Sequence, residues 1–228
     1  MELMTVLRKS LEELASRPTY FVPRLVSTSI STAWFIYMTS QLDLGLYLVS
    51  APFIIFIGIF VPVMVAYMVD KQSGLIKAFT ATLRKSGKLF LSTIAFFVIG
   101  AVAAIPTVLG LAVFLLSKNL VALILGFALS VGMILVTGVF TYFLPITLNR
   151  ESFVESFRKS ASFSNRRRSE VTALILFSFV LLGLSTLANG LAQKLGLIAF
   201  AVGRFTSAVI STYLIIVSPK YYLEEEEE

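Results

Sequence analysis

Residues Leu120 to Leu148 read LVALILGFALSVGMILVTGVFTYFLPITL, and Asn149 to Arg168 continue as NRESFVESFRKSASFSNRRR. The first stretch carries no Asp, Glu, Lys or Arg. The second holds Arg150, Arg158, Lys159, Arg166, Arg167 and Arg168. A helix rises about 1.5 Å per residue, so roughly 20 apolar residues cross the hydrocarbon of a bilayer. The pair therefore reads as a membrane span that delivers a basic segment to one membrane face.

Five other blocks read the same way, at about 22–40, 44–69, 88–116, 170–192 and 195–217. Apolar residues make up 57% of the chain, charged residues only 14%, and the mean hydropathy is +0.89. Soluble domains usually carry about 25% charge, so the expected class is an all-α integral membrane protein with six transmembrane helices. The blocks at 88–116 and 120–148 exceed a straight crossing, which calls for tilt, a kink or projection from the membrane. Pro106 offers a kink in the former, and Pro52 with Pro62 could bend the span at 44–69. Glu2, Glu12 and Glu13, all ahead of the first apolar block, argue against a secretory leader.

Orientation follows from the cations. Arg8, Lys9, Arg17 and Arg24 precede the first block, and Lys71, Lys77, Arg84, Lys85 and Lys88 follow the second. With the six after the fourth block and Lys220, sixteen of the 19 basic residues share one side. Lys118 and Lys194 lie on the other, and Arg204 falls inside the last block. Positive charge marks the inner face, so both termini are expected in the cytoplasm and the chain in the cell membrane. Aromatic belts agree: Tyr20, Tyr67, Tyr142, Tyr213, Tyr221 and Tyr222 fall near inner ends, and Trp34, Tyr37 and Tyr47 near outer ones.

The string Arg-Lys-Ser follows a large apolar residue three times, at Leu7–Ser10, Leu83–Ser86 and Phe157–Ser160, with spacings of 76 and 74. Each copy sits on a short amphipathic segment ahead of one span out and one span back. The apolar positions are Leu3, Val6, Leu7, Leu11 and Leu14, then Leu75, Ile76, Phe79 and Leu83, then Phe153, Val154 and Phe157. Steps of three and four make a helical stripe suited to the membrane plane. An offset of 78 through the phenylalanines aligns the last two copies equally well. A single domain over 1–223 is expected, with three parallel repeats near 1–72, 73–148 and 149–223, and an acidic tail at 224–228. The tail reads as solvated and disordered, with the basic face as one place for it to rest.

The amphipathic start, the Pro18-Thr19-Tyr20-Phe21-Val22-Pro23 run and the segment Ser152–Ser160 resemble uncharacterised prokaryotic six-span proteins. Those are related to the membrane domain of some glycerophosphoryl diester phosphodiesterases. The resemblance covers most of the chain and implies a fold. It carries no catalytic residue, and the soluble phosphodiesterase domain has no counterpart here.

Chemistry is constrained by what is missing. There is no His and no Cys, which removes the commonest general base, thiol nucleophiles and zinc-thiolate sites. Every acid, including Asp43, Asp70, Glu151, Glu155 and Glu170, falls outside a span or at its end. Proton relays and many cation sites need a carboxylate within the bilayer. No catalytic residue, metal site or cofactor is therefore expected. Arg204 is the intramembrane charge, with Asn189 and Gln193 as expected neighbours, and reads either as a snorkelling side chain or as an anion or lipid-phosphate site. Ala199, Gly203, Ser207 and Ser211 form a small-residue stripe for close packing. Ser27, Thr28, Ser29, Ser31 and Thr32 give the first span a polar start that suits either packing or a wet crevice.

Arg84, Lys85, Lys88, Arg158, Lys159, Arg166, Arg167 and Arg168 are the candidates for binding anionic headgroups or a membrane-protein partner. The net charge of +6 thus points to the membrane surface and not to nucleic acid. The expected function is that of a non-enzymatic accessory or membrane-organising protein. The alternative is a transporter or channel for a lipid-like or small anionic solute.

Overall fold

The structure, a computed structural model, describes residues 3–41, 44–194 and 196–227; the side chains of 3, 35, 36, 38–41, 44, 47, 48, 193, 197, 198, 201 and 227 fall outside that description. The expectations for Glu2, Asp43 and Glu228, and for the side chains of Leu3, Tyr47 and Gln193, therefore lie outside the described residues. Among those described, all regular structure is helical. The order is α1 (Leu3–Ser16), a 3-10 turn (Pro18–Tyr20), α2 (Phe21–Gln41), α3 (Leu44–Lys71), α4 (Leu75–Leu83) and α5 (Ser86–Ser117). Then follow α6 (Leu120–Thr141), α7 (Leu144–Arg150), α8 (Phe153–Arg166), α9 (Arg168–Lys194) and α10 (Leu197–Glu227).

Five stretches are long and apolar enough to cross a membrane: Val49–Lys71, Ser86–Ser117, Leu120–Arg150, Arg168–Ala192 and Val202–Glu226. The chain is a multi-pass membrane protein. The block expected at 22–40 forms α2, which packs on α3 and α10.

Turn chemistry sets the hairpins. Lys118 closes α5 in the left-handed region at φ 57°, and Asn119 caps α6 by accepting from the amides of Val121 and Ala122 at 3.0 and 3.3 Å. Gly196, at φ 108°, supplies the turn from α9 to α10, a conformation that favours glycine. The long block at 120–148 is not one straight helix: it breaks at Tyr142–Phe143, just before Pro145. Proline lacks an N–H and its ring crowds the preceding turn. Carbonyls at the break find hydroxyl donors, Ser160 to Phe140 at 2.8 Å and Ser218 to Tyr142 at 2.7 Å.

On α4 and α8 the fully buried positions fall outside the apolar stripe, whereas on α1 two residues of the stripe, Val6 and Leu14, are buried. On α8 the buried side chains are Ser156, Ser160 and Ser164, while Val154 is exposed. On α4 they are Ala78 and Thr82, with Ile76, Phe79 and Leu83 exposed; on α1 they are Val6, Ser10 and Leu14, with Met4 and Leu11 exposed. Small side chains let α8 sit close to α6 and α7, where Ser156 donates to the Thr147 carbonyl and Thr147 returns a bond to that of Ser156.

The hydrophobic core gathers at the end of the bundle where these short helices sit. One cluster joins Val6 to Ala66, Phe143, Ile146, Val171, Leu174, Val217 and Tyr221. A second joins Leu14 and Tyr20 to Val61, Met64, Met68, Ala78 and Ile216. Phe143, Phe163, Tyr221 and Tyr222 form an aromatic nest, with centroids 4.7 Å apart for Phe163–Tyr222 and 4.8 Å for Phe143–Phe163. Away from this platform the α5–α6 hairpin is covered mainly by itself, and apolar side chains such as Val98, Val108, Leu125 and Phe127 stay exposed for lipid.

That hairpin is pinned by close backbone contact. A Cβ on Gly110 would lie 2.6 Å from the Ala122 carbonyl oxygen, and one on Gly126 would strike that of Pro106. Beside Pro106 the Thr107 amide donates to Ser130 Oγ at 3.1 Å, and the Thr107 hydroxyl reaches the same oxygen at 2.8 Å. Gly126→Leu should lower stability by about 1–3 kcal/mol through overpacking. Gly132→Leu on the same helix, where a Cβ meets nothing within 4 Å, should be near neutral. Thermal unfolding of both variants in detergent checks the difference.

Candidate anion crevice and basic platform

At the platform, acids and bases from distant parts of the chain are matched. Lys220 meets Glu13 at 2.5 Å, Lys9 meets Glu224 at 3.2 Å and Arg167 meets Glu225 at 2.6 Å. Arg150 bridges Asp70, at 2.6 Å, and Glu226. Lys159 pairs with Glu151, and the Tyr221 hydroxyl donates to Glu170. The acidic tail, expected to be disordered, instead extends α10 to Glu227 and is held by cations from α1, α7 and the α8–α9 junction. Each pair alone contributes little at a surface; the network gives the tail one register.

The eight headgroup candidates divide under this arrangement. Lys85 donates to the Asn149 carbonyl and Oδ1 at 2.9 and 3.0 Å, and Lys88 to the Glu151 carbonyl at 2.6 Å, so both clamp the start of α5 to the α7–α8 loop. Burial, then the neighbouring Lys88 charge, push the Lys85 ammonium below its ordinary value. Arg167 and Lys159 are engaged as above, and Arg158 lies 3.9 Å from Glu155. Arg84, Arg166 and Arg168 are exposed and have no hydrogen-bond or ion-pair partner among the described residues.

A second arrangement lies above the platform. Arg24, one turn into α2, donates through Nε to Ser211 Oγ of α10 at 2.8 Å. Arg204 of α10 donates through Nε to Thr32 Oγ1 of α2 at 2.8 Å. The antiparallel pair is thus tied twice, by guanidinium to hydroxyl, with no carboxylate at either end among the described residues. Seven residues separate Ser211 from Arg204, about 10 Å along the helix. Two like charges that far apart repel by about 1.5 kcal/mol at an effective dielectric near 20. An unneutralised cation in an apolar setting is costly unless an anion or water meets it.

Arg24 borders open space. A cavity of about 580 Å³ between α2 and α3 is lined by Arg24, Ser27, Ser31, Trp34, Phe53 and Gly58 among others. A smaller one of about 300 Å³ shares Arg24 and Gly58 and is lined also by Tyr142, Ser178, Ser211 and Ser218. The Trp34 indole N–H is buried without an acceptor among the described residues.

Of the intramembrane candidates, Arg204 bonds to Thr32 and, among the described side chains, to none on α9; that of Gln193 lies outside them. Asn189 packs on Gly203, and its Oδ1 accepts no hydrogen bond. Gly203 and Ser211 of the small-residue stripe face two neighbours, Asn189 and Ala192 of α9 and Arg24 of α2. Arg24 is the residue that sequence reasoning missed, because it was grouped with the flanking cations. The hydroxyl run from Ser27 to Thr32 one turn later was the available signal. Among the described residues no group of three or more acids converges as a metal-ligand set.

No family model matches the chain, and neither a curated protein nor a solved structure does.

Glu13 ties α1 to α10. Burial raises its carboxyl, but Lys220, the Tyr20 hydroxyl and Gln72 outweigh that and hold it below the ordinary 4.5. Burial and the Glu13 charge push the Tyr20 phenol up to about 12. A carboxyl depressed in the folded state contributes stability that is fully present above its unfolded pKa. It is lost as pH falls through the folded value. The melting temperature in detergent should therefore fall as pH drops below 4.5, and Glu13→Gln should flatten that part of the profile.

Proposed function

We propose that this chain is a six-span membrane protein of three parallel repeats whose platform and termini lie in the cytoplasm. It works without catalysis, as an accessory or membrane-organising protein that engages anionic headgroups and a membrane partner. One observation carries the reading. Met4, Ile76 and Val154 occupy the same place on the three amphipathic helices and are 72%, 81% and 72% exposed. The buried positions follow the same register: Val6 and Ser10, Ala78 and Thr82, Ser156 and Ser160. These offsets, 72 and 78 residues, differ from the 76 and 74 of the Arg-Lys-Ser string, whose middle copy falls one turn late, and support three copies of one unit, each presenting an apolar residue beside cations. Helices of that kind bind membrane surfaces by apolar insertion plus attraction to anionic lipid. Arg84, Arg166 and Arg168 supply the uncommitted charge.

The crevice at Arg24 favours a second reading, transport of a lipid-like or small anionic solute, since it opens cavities of about 580 and 300 Å³ beside an arginine that no carboxylate meets among the described residues.

Two measurements test the first reading. The chain has no cysteine, so single cysteines at Lys118 and Arg166 can be labelled with a membrane-impermeant maleimide. Labelling at 118 in intact cells, and at 166 only after permeabilisation, is expected; the reverse pattern refutes the orientation. In nanodiscs, the combined Arg84→Gln, Arg166→Gln and Arg168→Gln variant should retain fewer anionic lipids by native mass spectrometry. Equal retention removes the platform as a headgroup site.

A further inference from the structure

We propose that the crevice at Arg24 is a lipid site, which takes the headgroup of an anionic phospholipid and lays an acyl chain in the groove between α2, α3 and α4. The inference concerns the interior of the bundle and stands whether or not the platform binds headgroups.

Charge and shape argue for it together. Arg24 has only the Ser211 hydroxyl as a partner among the described residues. Arg204, about two helical turns away along α10, adds positive potential and also lacks a carboxylate. An anion at Arg24 would neutralise the nearer charge where water is scarce, and phosphate accepts guanidinium N–H groups in a fork geometry. The hydroxyls of Ser27 and Ser31 line the crevice and donate to carbonyls of their own helix, those of Arg24 and Thr28.

Beside this polar end lies an apolar one. A groove of about 480 Å³ is lined by Val26, Phe56, Phe60, Met64, Phe79 and Leu83 among others, and it shares Ser27, Ile30, Phe53 and Ile57 with the crevice. One continuous surface therefore runs from a guanidinium into hydrocarbon-lined space. A soluble anion would leave that groove unfilled, and a zwitterionic lipid would bring an ammonium toward two arginines. An anionic phospholipid satisfies both ends. The start of α2 is tied to the platform through Tyr20 and Glu13, which sets Arg24 one turn above it.

The test uses two gifts of the sequence. Trp34 is the single tryptophan of the chain and lines the crevice, so its fluorescence reports occupancy. Gly58 lines both cavities at Arg24, and a Cβ there meets nothing within 4 Å. Gly58→Leu can thus fill the space while keeping the charge. The full chain is placed in phosphatidylcholine nanodiscs containing a minor fraction of brominated lipid. Brominated phosphatidylglycerol should quench Trp34 more than brominated phosphatidylcholine at equal mole fraction. That preference should vanish in Arg24→Gln and in Gly58→Leu, and persist in the platform triple variant. Should Arg24→Gln fail to fold, Gly58→Leu decides alone. Equal quenching by the two lipids in the native chain overturns the proposal. So does a preference that survives Gly58→Leu but is lost in the platform variant. Abolition of the preference by inorganic phosphate would reassign the site to a soluble anion and likewise overturn it.

Discussion

Inside hydrocarbon an apolar side chain gains little by touching another apolar side chain instead of lipid. That constraint explains where this molecule keeps its core. The fully buried large side chains, among them Tyr20, Met68, Leu89, Phe143, Ile146 and Tyr221, all lie where the amphipathic helices meet the ends of the long ones. There the hydrophobic effect operates, because water is the competing environment. Farther along, α5 and α6 hold together by a different means, glycine against backbone and a threonine–serine pair beside Pro106.

The same contrast governs charge. At the platform nearly every carboxylate finds a cation, often from the opposite end of the chain, as with Glu13 and Lys220 or Lys9 and Glu224. Where α2 and α10 pack, Arg24 and Arg204 are met only by hydroxyls among the described residues. A guanidinium bonded to a hydroxyl keeps its full charge and several free donors. It stays receptive to an anion in a way that a salt-bridged arginine does not. The polar face of α2, from Ser27 to Thr32, thus acts both as a packing surface for α10 and as the wall of a crevice.

Much of the architecture was legible in the residues. Long apolar blocks announced membrane helices, while Asn119 and Gly196, which the structure places at turns between paired helices, went unread. What escaped was tertiary in origin. The break at Tyr142–Phe143 had a local signal in Pro145 that the uninterrupted hydropathy hid. The buried faces of α4 and α8 are built from small and hydroxyl side chains, so a search for apolar stripes selected the faces turned outward. The acidic tail looked solvated because composition alone cannot reveal which cations wait nearby.

Composition and periodicity by themselves identified the long helices suited to a bilayer, since transfer of apolar and charged groups is a property of side chains and not of their partners. They also placed the cations on one flank of the apolar blocks. Only the tertiary structure decided which charges are spent on one another and which remain available. Arg24 and Arg150 look alike as flanking arginines, yet one meets Ser211 beside a cavity and the other bridges Asp70 and Glu226. The difference is a matter of which groups lie within hydrogen-bond reach after the helices pack, and no local pattern in the chain carries that information.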